Sequence, residues 1–324
     1  MKKVVAGVDI GGTNTRFGLV DESGKVLSEN NFSTTDYPKI NDFVTALTAG
    51  IKKLVSANKE YKLMGIGIGA PDANYHRGTI EHAPNLAWKG IVPLADLIKK
   101  KVNVPVVVTN DANAAAMGEM IFGVAKKMKD FIVLTLGTGL GSGIVIDGKM
   151  VYGHTGFAGE LGHMTVVPNG RECGCGRKGC FEAYGSATGL VKTVVELMSE
   201  MRDESPLRDI PVSKLTSKKI AEAAAKKDPI AVKAMQKTAE ILGFGIINAV
   251  VFSSPEAIIL FGGLANAGEM LFAPTRKYLK ENNYVLMKDT VKILASGIPE
   301  SKGAVMGSAG DPVIAINYRI GAWM

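Results

Sequence analysis

The chain has 324 residues, 46% of them hydrophobic and 21% charged, enough for two domains of roughly 100–200 residues each and too apolar for a disordered chain. No stretch reaches the ~18 consecutive apolar residues of a membrane span, and Asp9 and a glycine pair break the N-terminal "MKKVVAGVDIGGTN" before it can serve as a signal peptide; a cytoplasmic protein with reduced thiols is expected. The net charge of +7 is scattered over pairs and triplets such as Lys52-Lys53 and Lys99-Lys100-Lys101, unlike the continuous basic stripe of a nucleic-acid binder, so neither nucleic acid nor a membrane is expected as a partner.

In chain order, "KVVAGVD" reads as a buried strand running into a glycine loop, and "TRFGLVD" and "KVLSENNF" as two strands joined by the turn "DESG". Ile40, Phe43, Val44, Leu47, Ile51, Leu54 and Val55 recur at helical spacing. The strands "KLMGIGIGAP" and "PVVVTND" follow, and "ANAAAMGEMIFG" is a helix directly after Asn110-Asp111. A second round starts at "FIVLTLGTGLGSGIVIDGKMV", which repeats the order of residues 3–27: strand, glycine-threonine loop, strand, turn, lysine, strand. Gly11-Gly12-Thr13 corresponds to Gly137-Thr138-Gly139, and "DESGK" to "IDGK". The repeat implies two similar α/β domains opening with the same hairpin. The last third is helix-rich: a long helix in "DPIAVKAMQKTAEILGFGIINAVVFSS", a strand and Gly-Gly loop in "EAIILFGGLANAGE", and a terminal helix in "GAVMGSAGDPVIAINYRIGAW".

Glycine loops let backbone amides approach a phosphate with no Cβ in the way. Asp9 ahead of "IGGTNT" adds a hydroxyl and a carboxylate able to orient Mg²⁺ through water. The loop "LGTGLGSG" offers amides and Thr138 but no carboxylate. Two such loops on either side of a cleft could clamp a triphosphate. No G-x-x-x-x-G-K-[ST] is present, which excludes a P-loop, and "GIGIGA" leads into Pro71 with no acidic residue closing a βαβ unit. Taken alone, Asn110-Asp111 reads as a helix N-cap. At the carboxyl end of a buried strand, where α/β sheets bind ligands, Asp111 could also accept the proton of a hydroxyl attacking a γ-phosphoryl group.

All three cysteines fall in "ECGCGRKGC", and His163, one of four histidines, lies just upstream. Cys173, Cys175, Cys180 and His163 make a Cys₃His set suited to tetrahedral Zn²⁺, with no ligand position left open and hence a structural rather than catalytic metal. The alternatives are a free thiol cluster or a redox pair, against which stands the lack of any C-x-x-C. Glu160 and Glu182 flank the cluster, either as ordinary surface carboxylates or converging on a pocket.

The segments "DIGGTNTR", "NDANAAAMGE", "LTLGTGLGSGIV", "GELGH", "CGCGRKGCFE" and "LFGGLANAG" together resemble the ROK family of repressors and kinases, nearest its glucokinase-like sugar kinases, over essentially the whole chain. The resemblance implies a two-domain actin/hexokinase-like (ribonuclease H-like) α/β fold with an interdomain cleft, divided into residues 1–117 plus 302–324 and residues 118–301. It implies ATP and Mg²⁺ as cofactors, structural Zn²⁺ on His163, Cys173, Cys175 and Cys180, a hexose substrate and a homodimer. Asp111 would be the base activating the sugar 6-hydroxyl, with Asn110, Glu160, His163 and Glu182 as sugar ligands. Asp9, Gly11, Gly12, Thr13, Asn14 and Arg16 match the first phosphate motif, Thr138 and Gly139 the second, and Gly262 and Gly263 the adenosine motif. Glucose is the first expectation, with fructose, mannose, N-acetylmannosamine and N-acetylglucosamine as alternatives. A sugar-sensing regulator is the other alternative, although no DNA-binding segment precedes the motif at Asp9. Two departures stand out. Pro71 is followed by Asp72 where the family has Gly, and Asp tolerates a left-handed backbone less well than Gly. Pro312 falls in a terminal segment that is alanine-rich elsewhere in the family, at a place suited to a helix first turn.

Overall fold

In the computed structural model, which describes residues 1–299, 303 and 305–310, the chain divides into two units. Unit 1 comprises Met1–Met128, Met150–Ala158 and the described residues from Gly297 on; unit 2 comprises Lys129–Lys149 and Gly159–Ser296. The chain therefore crosses between units at 128/129, 149/150, 158/159 and 296/297, whereas the sequence pattern places crossings at 117/118 and 301/302. Pro312 and the rest of the expected terminal helix beyond 310 lie outside the described residues.

Unit 1 contains β1 (Lys2–Ile10), β2 (Asn14–Asp21), β3 (Val26–Ser33), α1 (Ile40–Ser56), β4 (Tyr61–Gly69), the short strands β5 (Ala73–Asn74), β6 (Thr79–Glu81) and β7 (Ile91–Val92), then α2 (Leu94–Lys99), β8 (Val106–Thr109) and α3 (Asp111–Ile121). Its main sheet has the order β3-β2-β1-β4-β8, antiparallel through the first three strands and parallel from β1 to β8. Val4 to Val8 are buried without alternation, as a central strand covered on both faces requires. One face packs on α1, whose Phe43, Val44, Leu47 and Ile51 are fully buried at helical spacing; each such side chain contributes about 1.5–3 kcal/mol. The other face, Val5 and Val20, is covered by Val305 and Ala309 of the helical residues 305–310. Gly7 permits this closeness, because a Cβ there would run into the Val305 backbone.

Unit 2 contains β9 (Phe131–Leu136), β10 (Leu140–Ile146), β11 (Lys149–Met150), α4 (Glu182–Gly185), α5 (Ala187–Glu200), α6 (Ser217–Ala225), α7 (Pro229–Ser253), β12 (Ala257–Phe261), α8 (Glu269–Asn282) and β13 (Lys292–Ala295). Its sheet order, β11-β10-β9-β12-β13, reproduces that of unit 1: a hairpin-linked antiparallel trio, then two strands parallel to the first. The long helix α7 starts where Asp228 accepts from Ala231 N (2.7 Å) with Pro229 in the first turn. It stops at Ser254, whose left-handed φ of 47° ends the helical path. Among the described residues no helix is long and apolar enough to cross a membrane.

The Gly7→Ala variant is expected to lose about 1–3 kcal/mol, the cost of overpacking a closed core, because its obstruction is backbone rather than a flexible side chain. Chemical denaturation would show it as a lower midpoint with an unchanged slope.

Candidate active site

Strand register sets the geometry of the unit 1 half. Asp9 pairs with Arg16 on one side and Gly69 on the other, and Gly69 pairs with Thr109. The carboxyl ends of β1, β4 and β8 therefore finish level, with Asp9 inside the end of β1 and Asp72 and Asp111 in the residues after β4 and β8. Asn110 caps α3, its Oδ1 accepting from Asn113 N (2.6 Å). Asp111, the first helical residue, accepts from Ala112 N (2.8 Å). Asn110 does the capping, and the Asp111 carboxylate is open to solvent on one face. Asp72 occupies the left-handed region at φ 49°, the conformation that a glycine would take more cheaply.

Burial, and then the neighbouring Asp111, push the Asp9 carboxyl up to about 6, with Arg16 acting in the opposite direction. Asp111 is also raised: protein surrounds it except on its open face, and Asp72 adds repulsion, against the backbone bond from Ala112. A divalent cation would relieve the repulsion, which fits the expected Mg²⁺. Gly11 and Gly12, followed by Thr13 and Asn14, shape the adjacent loop. Gly11 N donates to Asn14 O (2.9 Å), and Thr34 Oγ1 donates to Gly11 O (2.8 Å). A Cβ on Gly12 would strike Asn85 O, a neighbour with no signal in the sequence.

In unit 2 the loop Gly137-Thr138-Gly139 joins β9 to β10. It is anchored from behind: Ala187 N donates to Gly137 O (2.9 Å) and Thr188 Oγ1 to Thr138 O (2.7 Å). The Gly262-Gly263 loop after β12 turns against the same strand end, Leu264 N donating to Leu136 O (3.1 Å), and Gly262 takes φ 99°. Glu182 lies beneath the first of these loops. Its Oε2 accepts from Leu140 N (3.0 Å), and a Cβ on Gly139 would collide with it. Its Oε1 accepts from Cys173 Sγ (3.5 Å), so one carboxylate links the phosphate-type loop to the cysteine cluster. Glu160 precedes the single helical turn Leu161–His163, and Ser142 of β10 ties that turn down, accepting from Leu161 N (3.1 Å) and donating to Gly159 O.

The ligand atoms of His163, Cys173, Cys175 and Cys180 all lie within 4.8 Å of one another. Cys175 Sγ and Cys180 Sγ are 3.7 Å apart, and Cys173 Sγ is 3.8 Å from His163 Nδ1. A tetrahedron with Zn–S near 2.3 Å and Zn–N near 2.0 Å has edges of about 3.5–3.8 Å, so the four groups fit that ion. Burial, and then the neighbouring thiols Cys175 and Cys180, push Cys173 up to about 12, with only a backbone bond opposing; a shared cation would offset this mutual hindrance. The cluster is fastened by two arginines that the sequence did not single out. Arg171 binds Glu196, donates to Ala183 O (2.9 Å), Gly189 O (3.1 Å) and Thr193 Oγ1 (2.9 Å), and lies 4.4 Å over the Tyr184 ring. Arg177 donates to His163 O (3.1 Å).

The profile of the ROK family matches residues 5–310. The chain belongs to the ROK family. A glucokinase of Streptomyces coelicolor is 38% identical over 279 residues, 85% of this chain and 86% of its own. A ROK family glucokinase of Streptomyces griseus, solved in complex with glucose and AMPPNP, superposes with TM-score 0.77 at 35% identity, covering 94% of this chain and 98% of its own. A ROK family transcriptional regulator, described as a homolog of the E. coli MLC protein, superposes with TM-score 0.85 at 26% identity, covering 97% of this chain and 78% of its own. The ROK sugar kinases among these relatives have the actin/hexokinase-like fold, and the doubled sheet order here is that fold.

The Asp9 shift has a pH consequence of definite sign. Its folded value of about 6 exceeds the ordinary 3.8, so the ionised form is penalised and stability is lost as pH rises from about 4 to about 6. Unfolding free energies across that range should fall more steeply in the wild type than in Asp9→Asn, by at most about 3 kcal/mol. Parallel curves would show that Asp9 is not the group responsible.

Proposed function

We propose that the chain is an ATP-dependent hexose kinase that transfers the γ-phosphoryl group of ATP to the 6-hydroxyl of glucose, acting in the cytoplasm as a homodimer. The observation that carries this is the close likeness, over nearly the full chain, to a glucokinase solved with glucose and an ATP analogue. The site is consistent with it: an open carboxylate of raised proton affinity in unit 1, and amide-rich loops in both units.

In this reading Asp111 accepts the proton of the sugar 6-hydroxyl as its oxygen bonds to the γ-phosphorus, and the bond from that phosphorus to the β,γ-bridging oxygen breaks, releasing ADP. Asn110 and Asp111 bind the sugar from unit 1, and Glu160, His163 and Glu182 from unit 2. Asp9, Gly11, Gly12, Thr13, Asn14 and Arg16 serve the phosphates together with Thr138 and Gly139, and Gly262 and Gly263 serve the adenosine. Mg²⁺, when bound, neutralises phosphate charge; Asp9 would hold it through water. Excluding water from the reacting groups keeps ATP from being hydrolysed instead.

A coupled ADP-release assay over glucose, mannose, fructose, N-acetylglucosamine and N-acetylmannosamine should give the highest kcat/KM with glucose. No turnover on any of them, with the fold intact, overturns the reading. Asp111→Asn should lower kcat by about 10³-fold or more while leaving the glucose Kd within a few-fold. The regulator reading is favoured by the fit to the transcriptional regulator; sequence-specific DNA binding without sugar turnover would put it first.

Zn²⁺ is proposed as a structural ion on His163, Cys173, Cys175 and Cys180. It would hold Glu182 and the His163 turn in place while taking no part in the transfer. Chelation, or Cys175→Ser, should lower the thermal midpoint and weaken glucose binding together, with one zinc per chain lost by elemental analysis. Normal glucose affinity in zinc-free protein would remove the ion from this role.

A further inference from the structure

Glu119 is a carboxylate that nothing in the proposed transfer uses, and it is 1% exposed. It sits near the end of α3, the helix whose first residue is Asp111. Its Oε2 accepts from Val124 N (2.9 Å), and its Oε1 accepts from Gly297 N (3.1 Å). These two amides belong to different stretches of chain. Val124 lies just before the crossing at 128/129, and Gly297 is the first residue after the crossing at 296/297. The stretches also touch each other, since a Cβ on Gly297 would meet Val124 Cγ1 at 2.8 Å and Val124 N at 3.0 Å.

The helix between Asp111 and Glu119 is a stiff link. Ala112 through Glu119 are all buried, and the eight-residue separation spans about 12 Å. A Cβ on Gly118 would lie 2.9 Å from Gly307 Cα, so α3 is set tightly against residues 305–310 and cannot slide freely. A hydrogen bond from a buried amide to a carboxylate contributes more than a neutral one, and losing the acceptor leaves the amide unsatisfied.

We propose that Glu119 is a positioning residue: it fastens the Val124 and Gly297 segments of unit 1 to the helix that presents Asp111, so that the placement of the proposed base depends on it. This rests on the kinase reading and extends it to a residue that touches no substrate. Glutamine at 119 keeps one acceptor and turns an amide donor toward the second N–H, whereas aspartate keeps both acceptors on a shorter stem.

The test compares the full-length wild type with Glu119→Gln and Glu119→Asp. Glucose turnover by the wild type tests the kinase reading alone; if it has none with any hexose, that reading and this inference fall together. With an active wild type, Glu119→Gln is expected to lower kcat at least 10-fold with the glucose Kd by calorimetry within 3-fold. Glu119→Asp should recover part of the lost kcat. A purely structural role would lower the thermal midpoint while leaving kcat at the wild-type value, and that result overturns the inference. Should Glu119→Gln fail to fold, Glu119→Asp carries the test, and wild-type kcat overturns the proposal in the same way.

Discussion

Repulsion between carboxylates is the constraint around which unit 1 is organised. Register brings the ends of three parallel strands level, and the residues there include Asp9, Asp72 and Asp111. Burial first, and then the neighbouring like charge, raises the proton affinity of Asp9 and Asp111. Such an arrangement lasts only if the frame holding it is too rigid to relax, and the frame supplies that. The strands are buried on both faces, Asn110 fixes the helix start, and Gly7 and Gly118 let residues 305–310 press directly on the sheet and on α3. A cation or a proton would relieve the repulsion, and the proposed phosphoryl transfer would bring both.

Unit 2 has the same strand order and a different chemistry. Its glycine loop has no carboxylate before it; the acidic group comes from underneath, as Glu182 on the far side of the cysteine cluster. Duplicating a scaffold therefore did not duplicate a site. One copy concentrates charge, whereas the other builds a braced platform in which Arg171 ties the cluster to α4, α5 and the Tyr184 ring. The Cys₃His cluster, the glycine loop and Glu182 form one connected body, so a change in any of them is felt by the others.

Much of this was legible because it is local. An apolar run marked β1, helical spacing marked α1, an alanine-rich run after Asn110-Asp111 marked α3, and the hairpin repeat was visible in turn residues. The cysteine cluster was readable because all its members lie within eighteen residues, 163–180. Other features depend on partners far away in sequence. Strands β12 and β13 match β4 and β8 in topology but not in side chains, so the repeat looked shorter than it is. The strands β5, β6 and β7, of two or three residues each, are too short to show a period. The return of residues 150–158 to unit 1 is set by Tyr152 stacking on Tyr75 (3.8 Å) and by Asn74 Nδ2 donating to Thr155 O (2.9 Å), pairings that no spacing announces. Glu119 in the sequence is one more acidic residue near a helix end, where solvent exposure is the ordinary expectation. Asp72 is the opposite case: its place in the chain already demanded a left-handed backbone, and it has one.

The cover over Val5 and Val20 comes from Val305 and Ala309, nearly 300 residues later in the chain. A ribosome releases the chain from its N-terminus at about 5–20 residues per second. The first sheet therefore waits with one apolar face bare while the whole of the second unit is made. Unit 2, all of whose residues lie between 129 and 296, can finish first, although unit 1 begins first. During that interval the exposed valines of β1 and β2 are open to chaperones and to misassociation with other nascent chains. The order of completion in the cell thus runs opposite to the order of synthesis.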